Sequence, residues 1–138
     1  MSGVEIDGGD CFQAAAALAP VVSLDPRCRV YIVHGIPTGQ GPIEGVRFWH
    51  AWVEAEHREL GFAVAIDYSN GQQAEMPRNS YYKVAQLDEG RIWRFTLHEA
   101  LERMQLLGHY GPWVYGYQLL DDVHHPGFTL AGYSDSRA

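Results

Sequence analysis

Three residues of types that can act together in catalysis stand out in the chain: Cys11, His50 and Asp67. A thiol attacks an amide or ester carbonyl as its thiolate, and a nearby imidazole can accept the thiol proton. A carboxylate can then fix the tautomer and the orientation of that imidazole. His50 and Asp67 are separated by about two short strands and a turn, so antiparallel pairing would bring their side chains to one face of a sheet. The sequence therefore predicts a nucleophile, a base and an orienting acid.

The segment around Cys11 has the features of a helix start. Gly8 and Gly9 favour a loop, and Asp10 precedes Gln13 by the spacing of a capping box. Cys11 would then open a helix whose unpaired backbone N–H groups favour a thiolate and can donate to an oxyanion. The negative charge of Asp10 opposes thiolate formation unless its carboxylate caps the helix and turns away.

Side chains alternate between two faces in the strand that carries His50. One face places titratable groups among aromatic ones and comprises Phe48, His50, Trp52 and Glu54. Its mixed composition predicts a strand that lines a cleft, with Glu54 as a solvated charge outside the site. The other face is apolar and is predicted to be core; it comprises Trp49, Ala51, Val53 and Ala55.

The remaining elements follow from apolar spacing and turn chemistry. Residues 11–19 are Ala-rich and predict a helix that ends near Pro20, while residues 29–34 and 61–68 predict strands, the second closed by a turn at 69–71. Residues 81–95 are expected to hold one or two short strands. Thr96 and Glu99 form a capping box for a helix that runs to Leu107 and stops at Gly108. The tail is expected to be disordered after about residue 130.

Four of these segments together resemble a known family. They read Gly-Asp-Cys at 9–11, Arg-Val-Tyr-Ile-Val-His-Gly at 29–35, His-Ala-Trp-Val-Glu at 50–54 and Ala-Ile-Asp at 65–67. This pattern, over the first half of the chain, resembles the transglutaminase-like group of the papain-like cysteine proteins. The resemblance implies an α+β fold in which an N-terminal helix carrying Cys11 packs on a mostly antiparallel sheet, with a second helix towards the C-terminus. It also implies a catalytic triad of Cys11, His50 and Asp67.

The activity that the resemblance implies is cysteine-dependent hydrolysis of the thiol protease or amidase type. Cys11 would form a thioester with a peptide or isopeptide carbonyl, and His50 would carry the proton. Two alternatives stay open, because a fold does not determine a reaction. One is a catalytically inactive binding or inhibitory protein, and the other is a protein glutamine deamidase or acyltransferase. Hydrolysis is favoured over cross-linking because a small domain offers little surface for two protein substrates.

Length and composition favour one domain over residues 1–138. Hydrophobic residues make up 46% of the chain, enough to build a core at this size. The net charge of −7 and the lack of Lys and Arg clusters argue against a nucleic-acid binder, and we expect a protein or peptide substrate. No apolar run approaches the ~20 residues that span a bilayer, and the N-terminus lacks an export signal. We therefore expect no membrane association and a cytoplasmic location.

Other residues have weaker patterns. His124 and His125 are adjacent rather than one helical turn apart, so we expect neither a metal nor another cofactor. Cys28 is expected to be a small buried residue rather than a second reactive thiol. Besides the backbone N–H of Cys11, an oxyanion donor could come from Gln13, Tyr31 or Trp52.

Overall fold

The computed structural model of the protein shows an α+β fold built on one antiparallel sheet. It describes residues 8–39, 44–69, 73–114, 117, 120, 122 and 123, with side chains from Cys11 onward. The elements in these ranges are α1 (Gly8–Val22), β1 (Cys28–Gly35), β2 (His50–His57), β3 (Ala63–Asp67), β4 (Ala74–Pro77), α2 (Arg78–Val84), β5 (Ile92–Thr96) and α3 (Leu97–Leu107). The strand order is β4-β3-β2-β1-β5, so β2 is the central strand.

The register of β2 with its neighbours brings the ends of three strands together. His50 lies opposite Gly35 of β1, and Val53 lies opposite Ile66 of β3. β2 and β3 are antiparallel, so the first residue of β2 and the last residue of β3 lie at the same end of the sheet. The predicted antiparallel arrangement of the His50 and Asp67 strands is therefore confirmed.

Apolar side chains are buried on both faces of the sheet. On one face, α1 and α3 cover residues that include Val30, Ile32, Trp49, Ala51 and Val53. The apolar face predicted for β2 is thus confirmed as core. On the opposite face, Tyr81 and Tyr82 of α2 pack with Val33, Trp52 and Ala65. This is the face of β2 that was expected to line a cleft, and helix α2 covers it instead.

Helix α1 extends beyond its predicted limits at both ends. It begins at Gly8, so Asp10 lies inside the helix and the predicted Asp10–Gln13 capping box is wrong. Cys11 lies at the end of the first turn. The helix continues through Pro20 to Val22. Proline removes one backbone hydrogen bond, but Pro20 falls in the last turn, where the completely buried Ala19 holds the helix on the sheet.

Residues 81–95 contain a helix that the sequence did not predict. One strand, β5, is present as expected, but Tyr81 and Tyr82 belong to α2, and the polar link before them forms the edge strand β4. Helix α2 has 7 residues, too few to be stable from helix propensity alone. Burial of its two tyrosines against the sheet supplies the stabilisation that the local sequence pattern lacks.

The helix predicted from its capping box is present as α3. The Thr96 hydroxyl accepts a hydrogen bond from the Glu99 backbone N–H at 3.1 Å, and the Glu99 carboxylate accepts one from the Thr96 N–H at 2.9 Å. Gly108 ends the helix in the left-handed conformation, with φ of 77°. The predicted start and end of this helix are confirmed.

Some predicted features lie outside the described residues: positions 70 and 71 of the turn, the His124–His125 pair and the tail after residue 130. Within the described ranges, no helix is both long enough and apolar enough to cross a membrane.

His34 is a completely buried imidazole on the α1 face of the sheet. Its ring centroid lies 4.6 to 5.1 Å from those of three aromatic rings, which belong to Phe12, Phe95 and Trp113. Neither ring nitrogen has a hydrogen-bond partner among the described residues. Burial lowers the pKa of His34 to about 3, and repulsion from His109 and His50 acts in the same direction. The ring is therefore neutral in the folded protein near neutral pH.

We expect His34 to make the fold sensitive to acid. Its folded pKa of about 3 lies below the ordinary value of 6.5, so between these values the unfolded chain binds the extra proton. Relative to His34→Leu, the parent should lose about 1.4 kcal/mol of unfolding free energy per pH unit below about pH 6.5, and nothing further above it. Urea unfolding of both proteins from about pH 5 to 8 measures the difference. A difference that stays constant with pH would contradict this assignment.

Candidate active site

His50 and Asp67 form a buried pair at the shared end of β2 and β3. The distance between His50 Nε2 and Asp67 Oδ2 is 2.7 Å. The two residues are 8% and 5% exposed, so water screens their interaction weakly. Two of the three predicted site residues are thus in direct contact.

Both oxygens of Asp67 accept further hydrogen bonds. The Tyr81 hydroxyl donates to Oδ2 at 2.7 Å, and the Ser69 hydroxyl and N–H donate to Oδ1 at 2.7 and 3.1 Å. Burial alone would raise the pKa of Asp67. The charge of His50 and the hydrogen bonds from His50, Ser69 and Tyr81 instead hold that pKa well below its usual range. Asp67 is therefore a carboxylate held in one orientation.

Helix α1 brings Cys11 to the same imidazole. The Cys11 side chain is 2% exposed, and its thiol lies within hydrogen-bonding reach of the His50 ring. Because Nε2 of His50 is paired with Asp67, Nδ1 is the nitrogen left for the thiol. The structure therefore brings together all three residues that the sequence singled out, from α1, β2 and β3.

The surroundings of His50 favour its charged form. Burial lowers the pKa of His50, but the charges of Cys11 and Asp67, and hydrogen bonds to both, raise it well above its ordinary value. An imidazole placed between two groups that can carry negative charge is stabilised as imidazolium. The geometry is that of a buried acid–base chain.

Trp52 lies beside His50 on the same face of β2. The two ring centroids are 6.1 Å apart and the rings are inclined by 26°. The far end of the indole occupies the space above Gly35, where an added Cβ would lie 2.6 Å from Trp52 Cη2. Gly35 therefore leaves room for the ring that covers one side of His50.

The expectation that Glu54 is a solvated charge is wrong, because its side chain is completely buried. Oε1 accepts hydrogen bonds from Arg78 Nε at 2.8 Å and Arg94 Nε at 2.9 Å. Oε2 accepts from Trp52 Nε1 at 2.9 Å and from the Tyr82 hydroxyl at 2.7 Å. We call Glu54, Arg78, Arg94 and Tyr82 the Glu54 cluster. The available sequence signal was that Glu54 shares a strand face with His50 and Trp52.

The structure narrows the candidates for an oxyanion donor. Trp52 Nε1 already donates to Glu54, and Tyr31 lies opposite Glu54, about 13 Å along the sheet from the His50 end. Gln13 is exposed on α1, two residues after Cys11, and residues at that spacing do not face the same side of a helix. Trp52 helps to line the crevice beside the thiol, but its N–H is directed at Glu54 rather than at Cys11.

Access to Cys11 is narrow in the part of the chain that the structure describes. A crevice beside the thiol runs between α1 and β3, past Ala14, Leu18, Ile66 and Tyr68, and has no room for a water molecule. A larger cleft of about 410 Å³ lies at the other end of β1, where Cys28 and Arg29 help to line it. Neither Cys11 nor Cys28 is in a disulfide, and Cys28 is only half-buried. No group of three or more His, Cys, Asp or Glu residues in the described ranges could hold a metal ion.

Comparison with known proteins found no relative of this chain. No family model matches it, and neither the search of curated proteins nor that of solved structures gave a match. The candidate site is therefore interpreted from its own geometry and chemistry.

We expect Asp67→Asn to lower the pKa of His50, because the substitution removes the negative charge beside Nε2. The raised pKa of His50 lets the folded state keep a proton and the lowered pKa of Asp67 keeps the carboxylate charged, so the pair stabilises the fold fully between about pH 4 and pH 6.5. The effect is lost as the pH rises through the folded pKa of His50, and also as the pH falls through the folded pKa of Asp67. An NMR titration of the His50 imidazole measures the change. Ser69→Ala is the matched control, since Ser69 bonds the other carboxylate oxygen. An unchanged pKa in Asp67→Asn would refute the charge pairing.

We expect Gly35→Ala to destabilise the fold by about 1–3 kcal/mol, the usual cost of overpacking a core. The new methyl group would meet the Trp52 ring, whose other end is held by Glu54. Urea unfolding measures the loss. Gly90→Ala is a suitable control, because an added Cβ there meets only the Asp88 carboxylate, at an ordinary 3.5 Å. Equal stability of Gly35→Ala and the parent would show that the ring can move aside.

Proposed function

We propose that the protein is a cysteine-dependent hydrolase, of the peptidase or amidase kind, on a transglutaminase-like scaffold. The observation that carries the proposal is the meeting of Cys11, His50 and Asp67 in one buried row of hydrogen-bonding groups. These residues come from three separate elements, and their types match a nucleophile, a base and an orienting acid.

The proposed reaction proceeds through a thioester. His50 Nδ1 takes the proton from the Cys11 thiol, and the sulfur attacks the carbonyl carbon of an amide or isopeptide bond. The tetrahedral intermediate collapses as His50 returns the proton to the leaving amine. Water then gives a proton to His50 and attacks the thioester, which releases the acid and restores the thiol. Asp67 holds His50 in the required orientation throughout.

Stability alone is a poor explanation for this arrangement. Burying an imidazolium and a carboxylate removes hydration from both, and such pairs are often no more stable than apolar residues of the same size. Asp67 accepts four hydrogen bonds that hold one rotamer, which is how preorganised catalytic groups are supported. The cost of burial is better explained by a chemical role.

One observation favours a second candidate, a binding or inhibitory protein without chemistry. Cys11 is 2% exposed and the crevice beside it is closed, so a substrate would have to displace its cover. A glutamine deamidase or acyltransferase would use the same three residues and would differ only in its substrate and acyl acceptor.

Alkylation by iodoacetamide near pH 6 separates an enzyme from a binder. Exposure alone would make half-buried Cys28 react faster than buried Cys11. If Cys11 is activated by His50, we expect the reverse order, because the thiolate is the reactive form. The advantage should disappear in His50→Ala, with each site quantified by mass spectrometry. Slow labelling of Cys11 in both proteins would favour the binding protein.

Turnover provides the direct test. Cys11→Ala should abolish hydrolysis of peptide or isopeptide substrates found by screening, with an unfolding free energy within about 1 kcal/mol of the parent. Cys28→Ala is the matched control and should retain turnover. Hydrolysis that persists in Cys11→Ala would end the proposal.

A further inference from the structure

Glu54 is the most completely buried charged residue among the described residues, and the proposed reaction does not use it. Two arginines and two neutral donors satisfy the Glu54 carboxylate, which has no exposed surface. A buried ion pair adds little net stability compared with apolar residues of similar volume. Stability alone therefore does not explain why Glu54 is buried here, so we consider its contacts with the candidate site.

Trp52 connects the cluster to the candidate triad. Its Nε1–H donates to Glu54 Oε2, while its ring lies beside the His50 ring and over Gly35. A second contact runs through Tyr81, whose ring centroid lies 5.2 Å from that of Trp52 and whose hydroxyl donates to Asp67. The indole thus lies beside His50 itself and beside Tyr81, the residue that supports Asp67.

We propose that Glu54 is a positioning residue for the candidate triad. It fixes the indole of Trp52 by the Nε1–Oε2 hydrogen bond, and the indole holds the His50 ring on Cys11 and Asp67. The inference rests on the proposed function for its purpose, since positioning matters only if His50 does chemistry. Glu54 itself touches neither the thiol nor the imidazole, and its effect passes through Trp52.

The arginines explain why Glu54 can perform this role. Arg78 and Arg94 both donate to Oε1, which pairs the carboxylate with two cations and leaves Oε2 for Trp52 and Tyr82. A charged acceptor holds an indole N–H more strongly than a neutral one. The ring is therefore held at the Glu54 end by a charge-assisted hydrogen bond and at the other end by close packing on Gly35.

Substitution of each of the two donors to Glu54 Oε2 distinguishes positioning of the His50 ring from general stabilisation of the fold. Trp52→Phe and Tyr82→Phe each remove one of these donors, but only Trp52 lies beside His50. The readout is the solvent-exchange rate of the His50 Nε2 proton, measured by NMR. We expect exchange to accelerate by about tenfold or more in Trp52→Phe, the scale of losing a well-held geometry, and to stay unchanged in Tyr82→Phe. Unchanged exchange in Trp52→Phe, or equal acceleration in both variants, would overturn the proposal.

A third variant isolates the hydrogen bond from the ring. Replacing Trp52 by 3-benzothienylalanine keeps a bicyclic ring of similar size and lacks the N–H, so it also serves if Trp52→Phe does not fold. Faster exchange of the His50 Nε2 proton in this variant than in the parent supports the role of Glu54. Exchange at the parent's rate would show that packing of the ring is sufficient to hold His50, which would overturn the positioning role of Glu54.

The same measurement in the Cys11→Ala background separates this inference from the proposed function. If exchange of the His50 Nε2 proton depends on Trp52 in that background while Cys11 of the parent is unreactive, the positioning role stands and the hydrolase proposal fails. If Cys11 is reactive and the exchange does not depend on Trp52, the hydrolase proposal stands and the positioning role fails.

Discussion

The hydrogen bond between His50 and Asp67 is the interaction on which the site depends. It joins β2 and β3 beyond the last backbone pair between these strands, Val53 and Ile66, so its geometry relies on groups packed around it. Tyr81 from α2 and Ser69 beyond β3 hold the carboxylate, and Trp52 lies against the imidazole. Because all of these groups are buried, the pair stays in a region where charge interactions are strong.

The central position of β2 explains how one strand serves both core and site. Ala51 and Val53 lie in the core cluster that α1 covers, while His50, Trp52 and Glu54 lie on the other face and make the buried polar contacts of the strand. Polar groups can be buried on the second face because each has a hydrogen-bond partner: α2 and β5 supply those of Glu54, Glu54 accepts from Trp52, and β3 supplies Asp67 for His50. The same strand therefore supplies apolar core on one face and the buried polar groups of the candidate site on the other.

What the sequence could predict depended on how far apart the interacting residues lie. Helix α3 was predicted to the residue because Thr96, Glu99 and Gly108 determine its ends locally. His50 and Asp67 could be paired because antiparallel strands of known period bring them together. The burial of Glu54 could not be predicted, since its partners Arg78 and Arg94 lie 24 and 40 residues away as isolated charges. Helix α2 was missed for a similar reason, because tertiary burial of its tyrosines outweighs its weak pattern.

Two buried histidines illustrate how surroundings, rather than burial, decide the role of an imidazole. His34 packs among aromatic rings and has no hydrogen-bond partner among the described residues, so burial lowers its pKa to about 3. His50 is buried as well, but Asp67 and Cys11 beside it raise its pKa well above 6.5. Between these two values His34 is neutral while His50 is charged, so the core keeps its apolar character and the site its ion pair. The two rings are near enough to repel one another when both are charged, which adds to the reason why His34 stays neutral. Of these two imidazoles, His50 is therefore the one that holds a proton near neutral pH, because it lies between Asp67 and Cys11.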